Sequence, residues 1–361
     1  MNNRLKDIIV VIIIPSFLII MMFINIIKKD CEVSITERRK LEQFPGLALS
    51  NIVDGTFMKK FDKYSTDQFY NRDGFRLLKA NIDLNIYKNY HNLYIYNDYI
   101  IEQIYPLNDS SVRSLARKIN NIKDTYLDSS NRIYISIIPD KNYFVNDGNL
   151  KLDYDLLRDN FISKIDGANY IDIFRELELD DYYKTDQHWK EERLFKVASK
   201  IANYMNIEID DKYIEEEIID FEGTYASRIP NNKKVKDTIK IIKNKDINMS
   251  YGYNYLTNSY SSIYDMSKID SLDKYDIYLS GSVPIITITN NNSNNDRELI
   301  MFRDSFGSSL APLLISGYKK ITLIDTRYVN PRILNNYIDF IDKDILFIYS
   351  TLLINDSSSI K

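Results

Sequence analysis

The chain has 361 residues, 44% of them hydrophobic and 27% charged, which is enough apolar material for one large core or two modest ones. Its net charge of −4 and pI near 5.5, with no basic tract, argue against a nucleic-acid binder. One cysteine, Cys31, excludes intrachain disulfides and cysteine-rich zinc sites, and two histidines, His91 and His188, leave no material for a multi-histidine metal centre, so no metal or cofactor is expected. Twenty-nine tyrosines among abundant Ile, Asn, Lys and Asp read as a compositional bias of the source genome, the alternative being an extended aromatic carbohydrate surface.

An apolar run from Ile8 to Ile27, interrupted only by Pro15, Ser16 and Asn25, has the length of about 20 residues that crosses hydrocarbon as a helix. It is long for a signal-peptide core, and Ile26 to Cys31 offers no small-residue cleavage site, so it reads as a retained signal anchor behind a short tail, residues 1–7. Arg4 and Lys6 on one side against Lys28 and Lys29 on the other leave its orientation undecided by charge. Residues 28–60 are polar, with Pro45 and Gly46 as breakers, and read as a stalk; residues 61–361 are the globular domain.

Helical periodicity runs from Met58 to Tyr90 and breaks near Asn71-Arg72-Asp73-Gly74. His91 falls in a loop or at a strand edge. A strand over Tyr99–Tyr105 precedes a helix from Asp109-Ser110-Ser111 to Tyr126, and Arg132–Ile138 is a buried strand stopped by Pro139. A helix over 154–165, a strand over 170–174 and a helix over 191–204 follow. Phe221 to Ser227 reads as a functional loop, and the Lys-, Asn- and Tyr-rich stretch from Lys233 to Met266 as a strand pair. Strands at 285–289, 298–303, 320–325 and 344–349 alternate with helices at 306–316 and 331–340. That alternation predicts a parallel sheet with helices on both faces, and ligand sites at the carboxyl ends of its strands.

Ser305 stands at such an end, where Leu299-Ile300-Met301-Phe302 drives into Arg303-Asp304-Ser305 and small residues open a helix. A serine there has its hydroxyl exposed and helix N–H groups behind it for a developing oxyanion, although the same step could be a plain helix cap. Thr185-Asp186-Gln187-His188-Trp189 supplies the complement. Acyl transfer by serine needs a base for the hydroxyl proton and a carboxylate to fix the imidazole tautomer. In an extended segment Asp186 and His188 face one side while Gln187 points away, and Trp189, the only tryptophan, would wall the site against water. A buried structural histidine is the alternative.

Asp186-Gln187-His188-Trp189 together with Arg303-Asp304-Ser305-Phe306-Gly307 resembles the DHHW family of Gram-positive bacteria, related to the SGNH-like domains of alginate O-acetyltransferases. The resemblance extends to Glu37-Arg38-Arg39 with Leu41 and Phe44-Pro45, to Asp67-Gln68-Phe69 with Arg72-Asp73, to Phe221-Glu222-Gly223-Thr224 and to Tyr278-Leu279-Ser280-Gly281. It implies an SGNH-hydrolase-like, flavodoxin-like α/β fold with a mostly parallel sheet. It implies Ser305 as nucleophile, His188 as base, Asp186 as its orienter, and an oxyanion hole from the N–H groups of Ser305 and Gly281. Asp304 would hold the turn, and Trp189, Arg303 and Ser282 would meet substrate. Gln187 replaces the family's first histidine, Arg303 replaces a glycine, and Ser282 stands where Asn is frequent. The implied protein is membrane-anchored and extracytoplasmic, an O-acetyltransferase or esterase of cell-envelope or exported polysaccharide, with a membrane acyl-donor partner. The rival reading is a catalytically silent envelope protein that binds glycan or a partner.

Overall fold

The computed structural model describes residues 3–34, 36, 37, 39–230 and 235–361. Arg38 of the N-terminal signature and residues 231–234, within the Lys-rich stretch, lie outside the described residues. The chain forms two compact units, Met1–Tyr90 with Ser227–Lys233, and His91–Ala226 with Lys234–Lys361.

The first unit is helical. Helix α1 spans Asn3–Ile27 with Pro15 inside it, and most of its apolar side chains from Val11 onward are exposed. Among the described residues, no helix is long and apolar enough to cross a membrane, so the expected anchor over 8–27 acquires a helix but no demonstrated span. Helix α2 (Leu49–Val53) lies within the stretch read as stalk, and α3 (Thr56–Asp67) and α4 (Arg72–Ile82) flank the expected break. The Glu-x-Arg and Asp-Gln-Phe signatures meet here. Arg39 grips the Asp67 carboxylate with two nitrogens at 2.8 and 2.5 Å, and the Glu42 N–H adds a third bond at 2.9 Å. These partners hold Asp67 down to about 2, with the Arg39 hydrogen bond the largest cause. Glu37 in turn binds Arg72 at 2.6 Å and Arg76 at 3.4 Å, and Gln68 bonds both the N–H and the carbonyl of Cys31.

The second unit is built on an eight-stranded sheet. In chain order its strands are β1 (Arg132–Ile138), β2 (Asn169–Ile171), β3 (Ser250–Asn254), β4 (Ser259–Ser261), β5 (Ile285–Asn290), β6 (Glu298–Arg303), β7 (Lys320–Ile324) and β8 (Asp344–Ser350). Their spatial order is β4-β3-β5-β7-β6-β8-β1-β2. The five strands from β7 to β2 are parallel, as the alternating pattern predicts. Strand β5 departs from that expectation and runs antiparallel to β7 and β3. Only residues 291–297 join it to β6, too few for the crossover that a parallel neighbour requires.

Successive residues of β6 face opposite sides, so Leu299 and Met301 enter one core while Ile300 and Phe302 enter the other. The first core is closed by α7 (Phe195–Met205), through Val197, Ala198 and Ile201, and by α8 (Gly307–Leu314), through Leu310 and Leu314. The second is closed by α5 (Asp109–Tyr126), through Val112, Leu115 and Ile119, and by α6 (Tyr154–Ile162), through Leu157 and Phe161. The helix expected over 331–340 is a 3-10 segment, Pro331–Asn336. Two antiparallel ribbons, Leu93–Tyr96 with Tyr99–Glu102 and Ile214–Phe221 with Asp237–Lys243, stand outside the main sheet. With the central strands β6 and β8 buried on both faces, the ends of the strands are where chemistry can meet solvent.

Candidate active site

Ser305 lies between β6 and α8, with Asp304 before it and Phe306 after it. The turn that presents it is held by Asp304, whose carboxylate accepts from the N–H of Phe306 at 3.1 Å and of Ser350, on β8, at 2.8 Å. Close approach tightens it further, since a Cβ on Gly307 would lie 2.7 Å from that of Arg303. Ser305 is partly exposed, and its N–H donates to no described residue.

His188 reaches it from the segment after β2. Its Nε2 lies 2.7 Å from Ser305 Oγ and its Nδ1 lies 2.5 Å from Asp186 Oδ1. An ionised carboxylate only accepts, so Nδ1 carries the proton and Nε2 is left as the acceptor for the serine hydroxyl. Asp186 is fully buried. Burial alone would raise it, but His188 and hydrogen bonds from the N–H groups of Thr224 and His188 hold it well below the usual carboxylate range. The 185–188 segment is a turn and not an extended strand, because Asp186 Oδ1 also accepts from the His188 N–H at 3.0 Å. Gln187 therefore does not point away, as alternation predicted. It lines the same cavity as Ser305, with its Nε2 at 3.4 Å from His188 Nε2.

Four neighbours fix this chain of contacts. Thr224 donates its N–H and hydroxyl to Asp186 Oδ2 at 2.7 and 2.9 Å, and the Gly223 N–H donates to Thr185 Oγ1 at 2.8 Å. A Cβ on Gly223 would stand 2.3 Å from that of Asp186, so only glycine lets the Phe-Glu-Gly-Thr loop come this close. Lys141, 3% exposed, donates from Nζ to the carbonyls of Asp186, Tyr183 and Lys184 at 2.7, 3.0 and 3.3 Å, with the Tyr225 ring 4.9 Å beneath. Burial brings its ammonium down to about 7 against the pull of Asp186 and Asp237. Tyr275 stacks flat on the imidazole, with centroids 3.8 Å apart. Neither Lys141 nor Tyr275 carried any local signal, because both reach the site from segments remote in the sequence.

The remaining expected site residues fall elsewhere. Trp189 is fully buried and lines no cavity with Ser305. Its Nε1 donates to the Phe306 carbonyl at 3.1 Å and to Ser309 Oγ at 2.9 Å, pinning the base segment to α8. Arg303 is also fully buried, near Asp325 at 3.4 Å; the arginine that reaches the cavity is Arg327, which holds Asp325 at 2.9 and 2.7 Å. Gly281 is tied into its own turn, with φ +77° and its N–H given to the Tyr278 carbonyl at 3.2 Å. The Asp276 carboxylate fills the space where a Gly281 Cβ would stand, and burial first, then Asp273, raises that carboxyl to about 6. Ser282 is exposed and meets the Tyr328 hydroxyl at 3.4 Å.

The cavity over Ser305 encloses about 410 Å³ and is lined largely by amide and charged groups, among them Asn92, Gln103, Gln187, Arg327 and Asn355. Among the described residues, no cluster of His, Cys, Asp and Glu is placed to hold a metal ion. The mixed α/β fold, with a parallel-dominated sheet and helices on both faces, thus carries an acid–imidazole–serine chain at the carboxyl edge of its sheet.

No family model and no curated relative matches the chain. Among solved structures it is similar to a DHHW family protein from Eubacterium siraeum, with a TM-score of 0.59 and 20% identity over 74% of this chain and 92% of that one. It is also similar to PatB1 of Bacillus cereus, with a TM-score of 0.55 and 16% identity over 73% and 96%. A second PatB1 structure, with a sulfonyl adduct, matches at a TM-score of 0.55 and 18% identity over 73% and 97%. The chain has the fold of these proteins.

Proposed function

We propose that this protein is a serine-dependent O-acyltransferase, of the acetyl-transferring kind, or an esterase acting on cell-envelope or exported polysaccharide through an acyl-serine intermediate. The observation that carries the reading is the unbroken contact from Asp186 through His188 to Ser305, at 2.5 and 2.7 Å, in a polar cavity. Ser305 Oγ attacks the ester carbonyl of a donor as its proton passes to His188 Nε2. Asp186 steadies the imidazolium, and the leaving alkoxide takes the proton back. A sugar hydroxyl then gives its proton to the same nitrogen and attacks the acyl-serine carbonyl, and the Ser305 Oγ expelled from the acyl carbon takes that proton from Nε2. Water in its place makes the protein an esterase. The free Ser305 N–H and the Gln187 amide are the donors this site offers the oxyanion.

A lining rich in amides and charged side chains suits a polyhydroxylated acceptor better than an apolar one. The exposed apolar face of α1 supports the further proposal that residues 8–27 anchor the chain in the cell membrane as a single pass, with the domain outside and near a membrane acyl donor. The deciding experiment is hydrolysis of p-nitrophenyl acetate by the full chain in detergent, with labelling by a sulfonyl fluoride. Wild type should turn over and label at Ser305, and Ser305→Ala and His188→Ala should lose most of both. Wild type indistinguishable from the two variants in both assays would leave the silent glycan-binding reading in its place.

A further inference from the structure

From Ile247 to Tyr264 the chain contains no Asp, Glu, Lys or Arg, although charged residues make up 27% of the whole. Its two ends, Ile247 and Ile263-Tyr264, enter the core, but the part between them does not. It forms β3, the turn after it and β4, the outermost strand of the sheet, with Tyr260 72% exposed. Along β3 the side chains of Tyr251, Tyr253 and Tyr255 fall on one face by alternation. The register continues that face across the sheet. Tyr260 pairs with Tyr253, Tyr253 with Thr287, Thr287 with Thr322 and Thr322 with Ile300. The row is aliphatic where helices cover it at Ile300. It then becomes a hydroxyl pair, Thr287 to Thr322 at 2.8 Å with Thr287 still buried, and ends in two tyrosines.

The rings form one continuous array. Tyr260 lies 5.5 Å from Tyr251 and 5.0 Å from Tyr253, Tyr253 lies 4.9 Å from Tyr255, and Tyr255 lies 5.9 Å from Tyr337, itself 44% exposed. Asn258, Thr257 and Ser259 edge it with amide and hydroxyl groups, and Tyr253 Oη donates to Asn258 Oδ1 at 3.2 Å. The nearest charge in these rows, Lys320, is paired with Glu298 at 3.5 Å. Surface edge strands ordinarily carry charge to resist sticking, and this one has exposed aromatic faces instead. Rigid amphipathic rings with small amide and hydroxyl neighbours stack on, and hydrogen-bond to, an uncharged ligand without a desolvated charge to pay for.

We infer that this tyrosine face is a second glycan-binding surface, which takes a neutral polysaccharide strand. Its place in the sheet gives it a use. Tyr255 is level with Ile285, and through Ile324 with Phe302, three residues short of Ser305. Four strand spacings separate β4 from β6, roughly 19 Å. Along the same carboxyl edge stand Arg327, Tyr328 and Ser282, with the Tyr328 ring 5.4 Å below Arg327 and its hydroxyl 3.4 Å from Ser282. A polymer held on the tyrosines would reach the cavity over Ser305 along these hydroxyls. The inference rests on the proposed function only for the identity of that polymer as a polysaccharide.

The test is affinity gel electrophoresis of the full chain in detergent through hydroxyethyl cellulose, dextran or soluble β-glucan, with carboxymethyl cellulose as the anionic control. At least one neutral polymer should retard the wild type more than the control does. Tyr260→Ala should weaken that binding at least fivefold and Tyr260→Phe should keep most of it, while neither changes p-nitrophenyl acetate hydrolysis. Ser305→Ala should bind as wild type does, so a wild type that binds but neither hydrolyses the ester nor labels at Ser305 would sink the proposed chemistry and leave this surface standing. Failure of every neutral polymer, or equal retardation of Tyr260→Ala and wild type, overturns the inference. So does a Tyr260→Ala variant that merely turns a dimer into a monomer in sedimentation.

Discussion

Gly223→Ala puts the smallest possible perturbation where the Phe-Glu-Gly-Thr loop meets the acid. The added methyl would lie 2.3 Å from Asp186 Cβ and 2.5 Å from the Thr185 carbonyl oxygen, about an ångström inside ordinary contact. Neither neighbour is the free end of a flexible side chain, so the loop itself must move. Overpacking of this kind costs about 1–3 kcal/mol. Moving the loop also stretches the two Thr224 bonds to the buried Asp186 carboxylate, and bonds to charged groups contribute about 1.5–3 kcal/mol each. With partial relaxation the sum is roughly 3–5 kcal/mol, a fall of roughly 10 °C in the thermal midpoint of a unit this size. The sulfonyl fluoride labelling rate at Ser305 should fall by at least tenfold, because the imidazole loses its fixed partner. Thr224→Val, which removes only the hydroxyl bond, should lie between the variant and wild type in both measurements. A Gly223→Ala protein with wild-type melting and labelling would refute the idea that this loop holds the acid in place.

Lys141→Met removes the ammonium that ties the carbonyls of Tyr183 and Asp186 together, with Lys184 keeping its bond from the Ile100 N–H, so labelling at Ser305 should drop tenfold or more, and Lys141→Arg, whose larger head must fit against Tyr225, should recover only part of it; equal rates in all three would show that the ammonium does not position the loop. Gln187→Ala should cut kcat for p-nitrophenyl acetate by about ten- to a hundredfold with KM little changed, as loss of an oxyanion donor does, and a pure KM effect would assign Gln187 to binding instead. Asp186 titrates lower folded than unfolded, so the stability it contributes is complete above the ordinary carboxylate value near 4 and is lost as pH falls from there toward the depressed folded value. Urea midpoints taken from pH 5 to pH 3 should therefore fall more steeply for wild type than for Asp186→Asn, and parallel curves would contradict this assignment.

The sequence by itself determined the strands that build the parallel centre. Arg132–Ile138 and Glu298–Arg303 have the bounds that hydrophobic runs and breakers predict, because the centre of a strand buried on both faces is written mainly in apolar residues. It also singled out Asp186, His188 and Ser305, distinctive residue types in a chain with two histidines, which the fold brings into one chain of contacts. Tertiary structure alone decided what surrounds them. The path of 185–188 is a turn closed by an Asp186 side-chain bond, which no alternation pattern contains, and it brought Gln187 to the cavity. Trp189 and Arg303 went inward because the chain on either side of Ser305 packs against them, and Arg327 took the place at the cavity that Arg303 was expected to fill. The antiparallel turn of β5, the clamp of Lys141 and the stacking of Tyr275 on His188 are contacts between segments far apart in the chain. Local patterns fix which residues are buried and which can react, whereas partners are chosen by the packing of distant segments, and that choice leaves no periodicity in the sequence to read.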